Sequence, residues 1–142
     1  MAASNIILIA DRNSHVRMFL MREMMAAGYR VKLAATGESV LKIAYTMGAV
    51  DLVVLDPDLP GVNESSVLQA LKERIPPLPV VLHTQQRHEG EELVADDCFF
   101  PVIEKAGNSI ERIKEAVGML LPSRSQDIKG ADGSKYREGE SS

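Results

Sequence analysis

Three short runs of apolar residues constrain the fold of this chain more than any other feature. They occupy residues 6–10, 52–55 and 80–82; polar residues bound the first two runs, and Pro79 and His83 bound the third. An uninterrupted apolar run of this length predicts a β-strand that is buried on both faces, as strands are in parallel sheets. We therefore expect a sheet that is covered by other elements on both sides.

Amphipathic stretches separate these runs and predict helices. The apolar face of the first helix consists of Val16, Phe19, Leu20, Met24 and Ala27. Asn13 or Ser14 can cap its start, because a side-chain oxygen there accepts from the free N–H groups of the first turn. Gly28 follows its end, where a glycine in the left-handed conformation commonly terminates a helix.

Further helices are predicted in the same way. Their apolar faces are Val40, Leu41 and Ala44 within 37–47, then Val67, Leu68 and Leu71 after a cap at Asn63, and last Ile110, Ile113, Val117 and Leu120 or Leu121 after a cap at Asn108. Residues 89–99 are less periodic, and we predict a short helix there around Leu93 and Val94.

Two more strands complete the pattern. Residues 29–34 alternate between apolar and polar side chains, which predicts an edge strand. Residues 100–103 predict a fifth strand, where Pro101 suits an edge or a strand start because it has no N–H to donate. Strands and helices thus alternate five times. This order predicts an α/β domain over residues 5–121, with a doubly wound, five-stranded parallel sheet and helices on both faces.

The C-terminal segment has a different composition. Residues 122–142 contain few apolar side chains among Gly, Ser and mixed charges, namely Ile128, Ala131 and Tyr136. Such a segment cannot bury enough apolar surface to fold by itself. We expect 122–142 to be a disordered tail, with a linker or a docking peptide for a partner as the functional alternative.

Charge and composition exclude several classes of protein. Residues 1–121 hold 12 Lys/Arg against 16 Asp/Glu, which disfavours nucleic-acid binding by charge. Cys98 is the single cysteine, and no His/Cys spacing fits zinc, so any metal must be held by oxygen ligands. No apolar run reaches the roughly 18 residues of a membrane span, and the start lacks a positively charged secretion signal. We expect a soluble cytoplasmic protein without a membrane partner.

Polar residues stand at the carboxyl ends of four predicted strands. They are Asp11, Asp56, Thr84 and Lys105. Because the carboxyl ends of parallel strands meet at one edge of a sheet, we expect these side chains to converge there. Two carboxylates, a hydroxyl and an ammonium can hold a divalent cation, supply a nucleophile and stabilise the oxygens of a phosphoryl group.

Three segments resemble the receiver domain of two-component response regulators, the CheY-like family. They are ILIAD at 7–11, ATGESVL at 35–41 and DLVVLDPDLPG at 51–61, and the likeness covers roughly residues 5–121. The resemblance implies a flavodoxin-like fold. It also implies that Asp56 is the phospho-acceptor, Thr84 the switch hydroxyl and Lys105 the phosphate contact. Mg²⁺ would then bind to Asp11, Asp56 and the backbone carbonyl of Asp58.

The sequence departs from the family at three positions of this site. Arg12 follows Asp11 where the family usually has a second acid that binds Mg²⁺. We expect Arg12 to pair with Asp11 or Asp56 and to weaken or abolish Mg²⁺ binding, unless Arg12 points to solvent. Ala106 follows Lys105 in place of a cis proline, which predicts a trans bond because a cis bond without proline costs about 2.5 to 4 kcal/mol. Val102 replaces the usual aromatic residue that reports the switch.

Residues near the fourth and fifth strands leave one alignment open. Residues 95–100 imitate the segment that normally leads into the family's lysine, which would put Pro101 at its place. We prefer Lys105, because it precedes the predicted cap Asn108 by three residues. His83 lies in an apolar strand and is interpreted as a hydrogen-bonded core histidine.

Two functions follow from these residues. The first is a single-domain signalling switch that accepts a phosphoryl group on Asp56 from a sensor histidine kinase or phosphotransfer protein and acts on a downstream protein. It would be modified itself and would not be an enzyme acting on others. The second is a pseudo-receiver that binds a protein partner without phosphorylation, which Arg12, Val102 and Ala106 favour. A nucleotide-binding enzyme is disfavoured, because no glycine-rich phosphate loop follows the first strand.

Overall fold

The computed structural model describes residues 5–46, 48–63, 66–85, 94–95, 98–99 and 101–121. The predicted tail at 122–142 lies outside the described residues. Among those that are described, no helix is long and apolar enough to cross a membrane.

The secondary-structure elements alternate along the chain. In order they are β1 (Ile6–Ala10), α1 (Ser14–Ala26), β2 (Arg30–Ala34), α2 (Gly37–Ala44), β3 (Leu52–Leu55), α3 (Val67–Glu73), β4 (Val80–Thr84), β5 (Val94–Ala95), β6 (Cys98–Phe99), β7 (Val102–Glu104) and α4 (Ser109–Leu120). Five strands form one parallel sheet in the order β2-β1-β3-β4-β7, and β5 and β6 form a separate antiparallel pair. The predicted flavodoxin-like sheet is confirmed.

Strand side chains point alternately to two apolar layers. Ile7 and Ile9 of β1 lie in the layer that contains buried residues of α1 and α4, whereas Leu8 and Ala10 lie in the layer that contains those of α2 and α3. Every residue of β1, β3 and β4 is buried. The uninterrupted apolar runs are therefore explained by helices that cover both faces of the sheet.

The register of the sheet aligns the ends of its strands. Ala10 pairs with Leu55, and Thr84 pairs with Glu104, so the residues that follow β1, β3 and β7 emerge at the same edge. The strand order reverses at β1, with β2 on one side of it and β3 on the other. This edge next to a reversal is where open α/β sheets bind ligands.

Helix α1 confirms the predicted cap and corrects part of its predicted apolar face. The side chain of Asn13 accepts from the backbone N–H groups of the first turn. Leu20 and Met24 are buried, but Phe19 is 42% exposed. Phe19 lies about 100° around the helix from Leu20, which turns it away from the sheet. Ala27 is also exposed, since it follows the last residue of α1.

The predicted cap of the third helix was wrong, whereas the predicted cap position of the last helix is confirmed. Helix α3 begins at Val67 with Ser66 as its N-cap, because Asn63 forms a turn in which its carbonyl accepts from the N–H of Ser66. Asn108 is the N-cap of α4, but its side chain makes no capping hydrogen bond. At the end of α4, Leu121 is the more buried of the two leucines left open.

The segment before β7 also differs from the prediction. Val94 lies in a strand that pairs with Phe99, so the helix expected around it is wrong at this residue, and Leu93 lies outside the described residues. A pair of two-residue strands is too short to produce a periodic pattern. The fifth strand of the sheet begins at Val102, after Pro101, and lies at the predicted edge.

Candidate functional site

Two buried carboxylates form the centre of the edge where the strands end. Asp11 follows β1 and Asp56 follows β3, and they are 1% and 0% exposed. The backbone N–H of Asp56 donates to the carbonyl of Ala10 at 2.8 Å, which continues the sheet pairing to the site itself. Buried carboxylates of this kind require cationic or hydrogen-bonding partners, because their desolvation is costly.

Lys105 supplies one cation to both carboxylates. Its Nζ lies 3.0 Å from Oδ2 of Asp11 and 3.3 Å from Oδ2 of Asp56, and its side chain is only 10% exposed. Lys105 follows β7, and its backbone N–H donates to the carbonyl of Thr84 at 2.7 Å. The structure thus places Lys105 at the carboxylates, whereas Pro101 precedes β7 and accepts a hydrogen bond from Leu82.

Arg12 supplies a second cation from the outer side. Its Nε lies 3.4 Å from Oδ2 of Asp56, and its Nη2 lies 3.6 Å from Oδ2 of Asp58. The side chain of Arg12 is 46% exposed, so the guanidinium lies at the boundary between the buried site and solvent. Of the orientations considered from the sequence, the structure shows pairing with Asp56.

Backbone N–H groups hold the other carboxylate oxygens. The N–H of Asn13 donates to Oδ1 of Asp11 at 2.8 Å, and that of Asp58 donates to Oδ1 of Asp56 at 3.0 Å. Arg17, which the sequence interpretation missed, donates from Nη1 to the backbone carbonyl of Asp11 at 2.5 Å. Its position in the first turn of α1, just after the end of β1, could have indicated from the sequence that it lies near Asp11.

Thr84 ends β4, next to the strand that precedes Lys105. It is 5% exposed, and its residue position pairs with Glu104 of β7. The Lys105–Ala106 peptide bond is trans, as expected from the missing proline. Val102, at the position of the family's usual aromatic residue, packs against the apolar layer that contains the buried residues of α2 and α3.

The loop after Asp56 is packed closely against the start of α2. The N–H of Gly37 donates to the carbonyl of Pro60 at 2.7 Å. A Cβ on Gly37 would lie 2.6 Å from backbone atoms of Gly61, which has a φ of +88°. Both glycines are therefore required by a close backbone approach that fixes this loop beside the site.

His83 lies behind the site, in the layer shared with α4. It is 2% exposed, and its Nε2 lies 3.1 Å from Oγ of Ser109. Burial, and then the positive charge of Lys105, lower the pKa of His83 to about 4, although Asp11 and Asp56 act in the opposite direction. His83 is therefore neutral near pH 7, which agrees with its interpretation as a core histidine.

The sequence profile of the response regulator receiver domain matches residues 7–114, which is well over half of the chain. The chain belongs to this family. It is a CheY-like receiver domain of a two-component response regulator, and receiver domains are signalling modules. The match extends over residues 7–114 and is not confined to the four strand-end residues.

Curated proteins with a similar sequence include transcriptional regulators. CusR of Escherichia coli (strain K12), a transcriptional regulatory protein, is 32% identical over an alignment of 96 residues, and the match covers 64% of this chain and 42% of CusR. This receiver chain spans less than half the length of the curated relatives it matches.

Solved structures match over most of the receiver. The crystal structure of the response regulator TrrA from Thermotoga maritima in complex with Mg²⁺-BeF is 29% identical with a TM-score of 0.69, and the match covers 82% of this chain and 99% of TrrA. A complex of TrrA with the histidine kinase ThkA matches at 27% identity and a TM-score of 0.70, covering 82% of this chain and 98% of the other.

Receiver domains bind Mg²⁺ in the active site, which makes Mg²⁺ a candidate cofactor of this receiver. Asp11 and Asp56 are ligands of the type that Mg²⁺ prefers. Within the described ranges, however, no three His, Cys, Asp or Glu side chains form a group that could hold a metal. Lys105 contacts both carboxylates, and Arg12 stands where a further acid is expected. This arrangement does not fit the ion.

Proposed function

We propose that this receiver accepts a phosphoryl group on Asp56 and passes the change to a downstream protein. The observation that carries the proposal is the contact of Lys105 Nζ with both Asp11 and Asp56. A lysine held between a buried nucleophile and a second carboxylate is positioned to neutralise charge on a transferring phosphoryl group. Thr84, at the end of β4, is the proposed switch hydroxyl.

The proposed donor is a phosphohistidine of a sensor histidine kinase or phosphotransfer protein. A carboxylate oxygen of Asp56 attacks phosphorus, the P–N bond breaks, and the imidazole nitrogen keeps the electron pair and takes up a proton. The complex of TrrA with the histidine kinase ThkA supports a partner of this class. We propose residues 5–121 as the receiver and 122–142 as a tail, with the protein located in the cytoplasm, where such donors form from ATP.

Arg12 favours a second candidate function. Its guanidinium covers Oδ2 of Asp56 at 3.4 Å, which could keep the carboxylate from a donor. The domain would then be a pseudo-receiver that binds its protein partner without phosphorylation. The replacement of the aromatic switch residue by Val102 supports this alternative.

Mass spectrometry of the intact protein separates the two candidates. The protein is incubated with acetyl phosphate, which is an acyl phosphate donor that needs no kinase, with and without MgCl₂. We expect one added phosphoryl group in the wild type and none in Asp56→Asn. If no phosphoryl group is added in either condition, the pseudo-receiver remains as the function.

A further inference from the structure

Side chains of this chain offset part of the negative charge in the site. Three carboxylates, those of Asp11, Asp56 and Asp58, contact two cations, Lys105 and Arg12. The position of Arg12 is the one at which the family usually carries another metal-binding acid. An arginine in place of this acid replaces a ligand of a divalent cation by a positive charge that belongs to the chain.

Both cations meet at one oxygen of Asp56. Oδ2 lies 3.3 Å from Lys105 Nζ and 3.4 Å from Arg12 Nε, and the N–H of Arg12 is also 3.4 Å away. The other oxygen, Oδ1, accepts from the N–H of Asp58. A phosphoryl group carried on Oδ2 would therefore be flanked by an ammonium and a guanidinium, whose planar fork of N–H donors matches phosphate oxygens.

Arg12 is the more exposed of the two cations that contact Asp56. Lys105 is 10% exposed and closes the inner side of Asp56, whereas the side chain of Arg12 is 46% exposed. Nη2 of Arg12 also lies 3.6 Å from Oδ2 of Asp58, which is itself exposed. Because Arg12 lies on the solvent side of Asp56, we expect an incoming phosphoryl group to meet Arg12 before Lys105.

From this geometry we infer that Arg12 takes the place of the divalent cation, so that Asp56 is phosphorylated without metal. The inference rests on the proposed phosphorylation of Asp56. With acetyl phosphate, an oxygen of Asp56 forms a bond to phosphorus, the bond from phosphorus to the bridging oxygen breaks, and acetate leaves with the electron pair. No proton is transferred. Arg12 and Lys105 neutralise the charge on the phosphoryl oxygens throughout the step.

The rate of acetyl phosphate labelling tests this inference. Wild type, Arg12→Ala, Arg12→Asp and Arg22→Ala are labelled in EDTA and in MgCl₂ and followed by intact mass. Arg22 is exposed on α1, so its replacement is a matched loss of one positive charge outside the site. We expect similar wild-type rates in both conditions, an unchanged rate in Arg22→Ala, and a loss of at least about tenfold in EDTA for Arg12→Ala.

Arg12→Asp provides the complementary change. This variant restores an acid beside Asp11, and we expect it to be labelled in MgCl₂ but at least about tenfold more slowly in EDTA. Thermal unfolding in the presence of beryllofluoride, a phosphoryl analogue, gives a readout that does not depend on rate. The wild type should be stabilised by beryllofluoride in EDTA, whereas Arg12→Asp should require MgCl₂.

Each other outcome overturns the inference in a recognisable way. Labelling of the wild type only in MgCl₂ refutes metal-free transfer but leaves the phosphorylation of Asp56 intact. Metal-free labelling that is equally fast in Arg12→Ala refutes the role of Arg12. A complete lack of labelling in both conditions refutes the proposed function together with the inference.

Discussion

Acidification should destabilise this receiver through His83 before the histidine becomes charged in the folded protein. The pKa of His83 is lowered from 6.5 to about 4 in the folded state, by burial first and by Lys105 second. His83 binds a proton near pH 6.5 in the unfolded chain, but only near pH 4 in the folded protein. The contribution of neutral His83 to stability is therefore complete above the unfolded pKa and is lost as the pH falls towards 4.

The size of the effect follows from the two pKa values. One pKa unit corresponds to about 1.4 kcal/mol, so the full loss of unfolding free energy is about 3 kcal/mol. Between about pH 7.5 and about pH 5, where the folded histidine is still mostly neutral, linkage gives a loss of about 2 kcal/mol. This loss is a large fraction of the stability of a small domain.

Urea denaturation at both pH values, for wild type and His83→Gln, isolates this contribution. Glutamine does not titrate and can keep a hydrogen bond to Ser109. Because both proteins contain the same carboxylates, the contribution of the carboxylates cancels when the two losses are subtracted. We expect the wild type to lose about 2 kcal/mol more than His83→Gln on acidification. Equal losses in the two proteins would refute the argument, because they would show that His83 is not held neutral by its surroundings.

Two further predictions concern packing and charge in the folded domain, and both are measured by urea denaturation. Gly37→Ala should lower the free energy of unfolding by about 1 to 3 kcal/mol, because the added methyl group would lie 2.6 Å from backbone atoms of the loop after β3. Gly118→Ala in α4, which has open space around it, should be unchanged or gain up to about 1 kcal/mol; equal losses would contradict the contact. Lys105→Met should lower the free energy of unfolding by about 3 kcal/mol or more, because the substitution leaves two buried carboxylates without the ammonium that contacts both. Lys114→Met breaks an ion pair that is about a third exposed and should change stability by less than about 1 kcal/mol, so a similar loss in both variants would show that burial does not set the cost.

The sheet and the positions of the strand-end residues could be predicted from sequence because they follow from burial. A strand that is covered on both faces leaves a run such as 52–55 with no polar residue, and the first polar side chain after it marks the strand end. Asp11 and Asp56 were therefore located by the same pattern that located β1 and β3. Parallel register then brought them together without any further information.

The orientation of Arg12 could not be predicted, because three carboxylates and solvent compete for one flexible guanidinium. The same limit applies to Asn63, whose ability to cap a helix does not determine whether the helix begins there. Phe19 was misassigned because its spacing fits a helical face whose width depends on how closely the sheet packs. These errors all concern choices among alternatives of similar local energy, which only the tertiary contacts decide.

The pairing of Ala10 with Leu55 has a consequence for how this receiver could be altered. Asp11 and Asp56 are set in place by the rigid ladder between β1 and β3, so neither relies on a long loop for its position. Replacing a single side chain at such a strand end can change the chemistry while the coordinates of its neighbours stay the same. An insertion of one residue within β1 would instead turn its side chains to the opposite face of the sheet and separate the two carboxylates. Engineering of this pocket should therefore proceed by substitution.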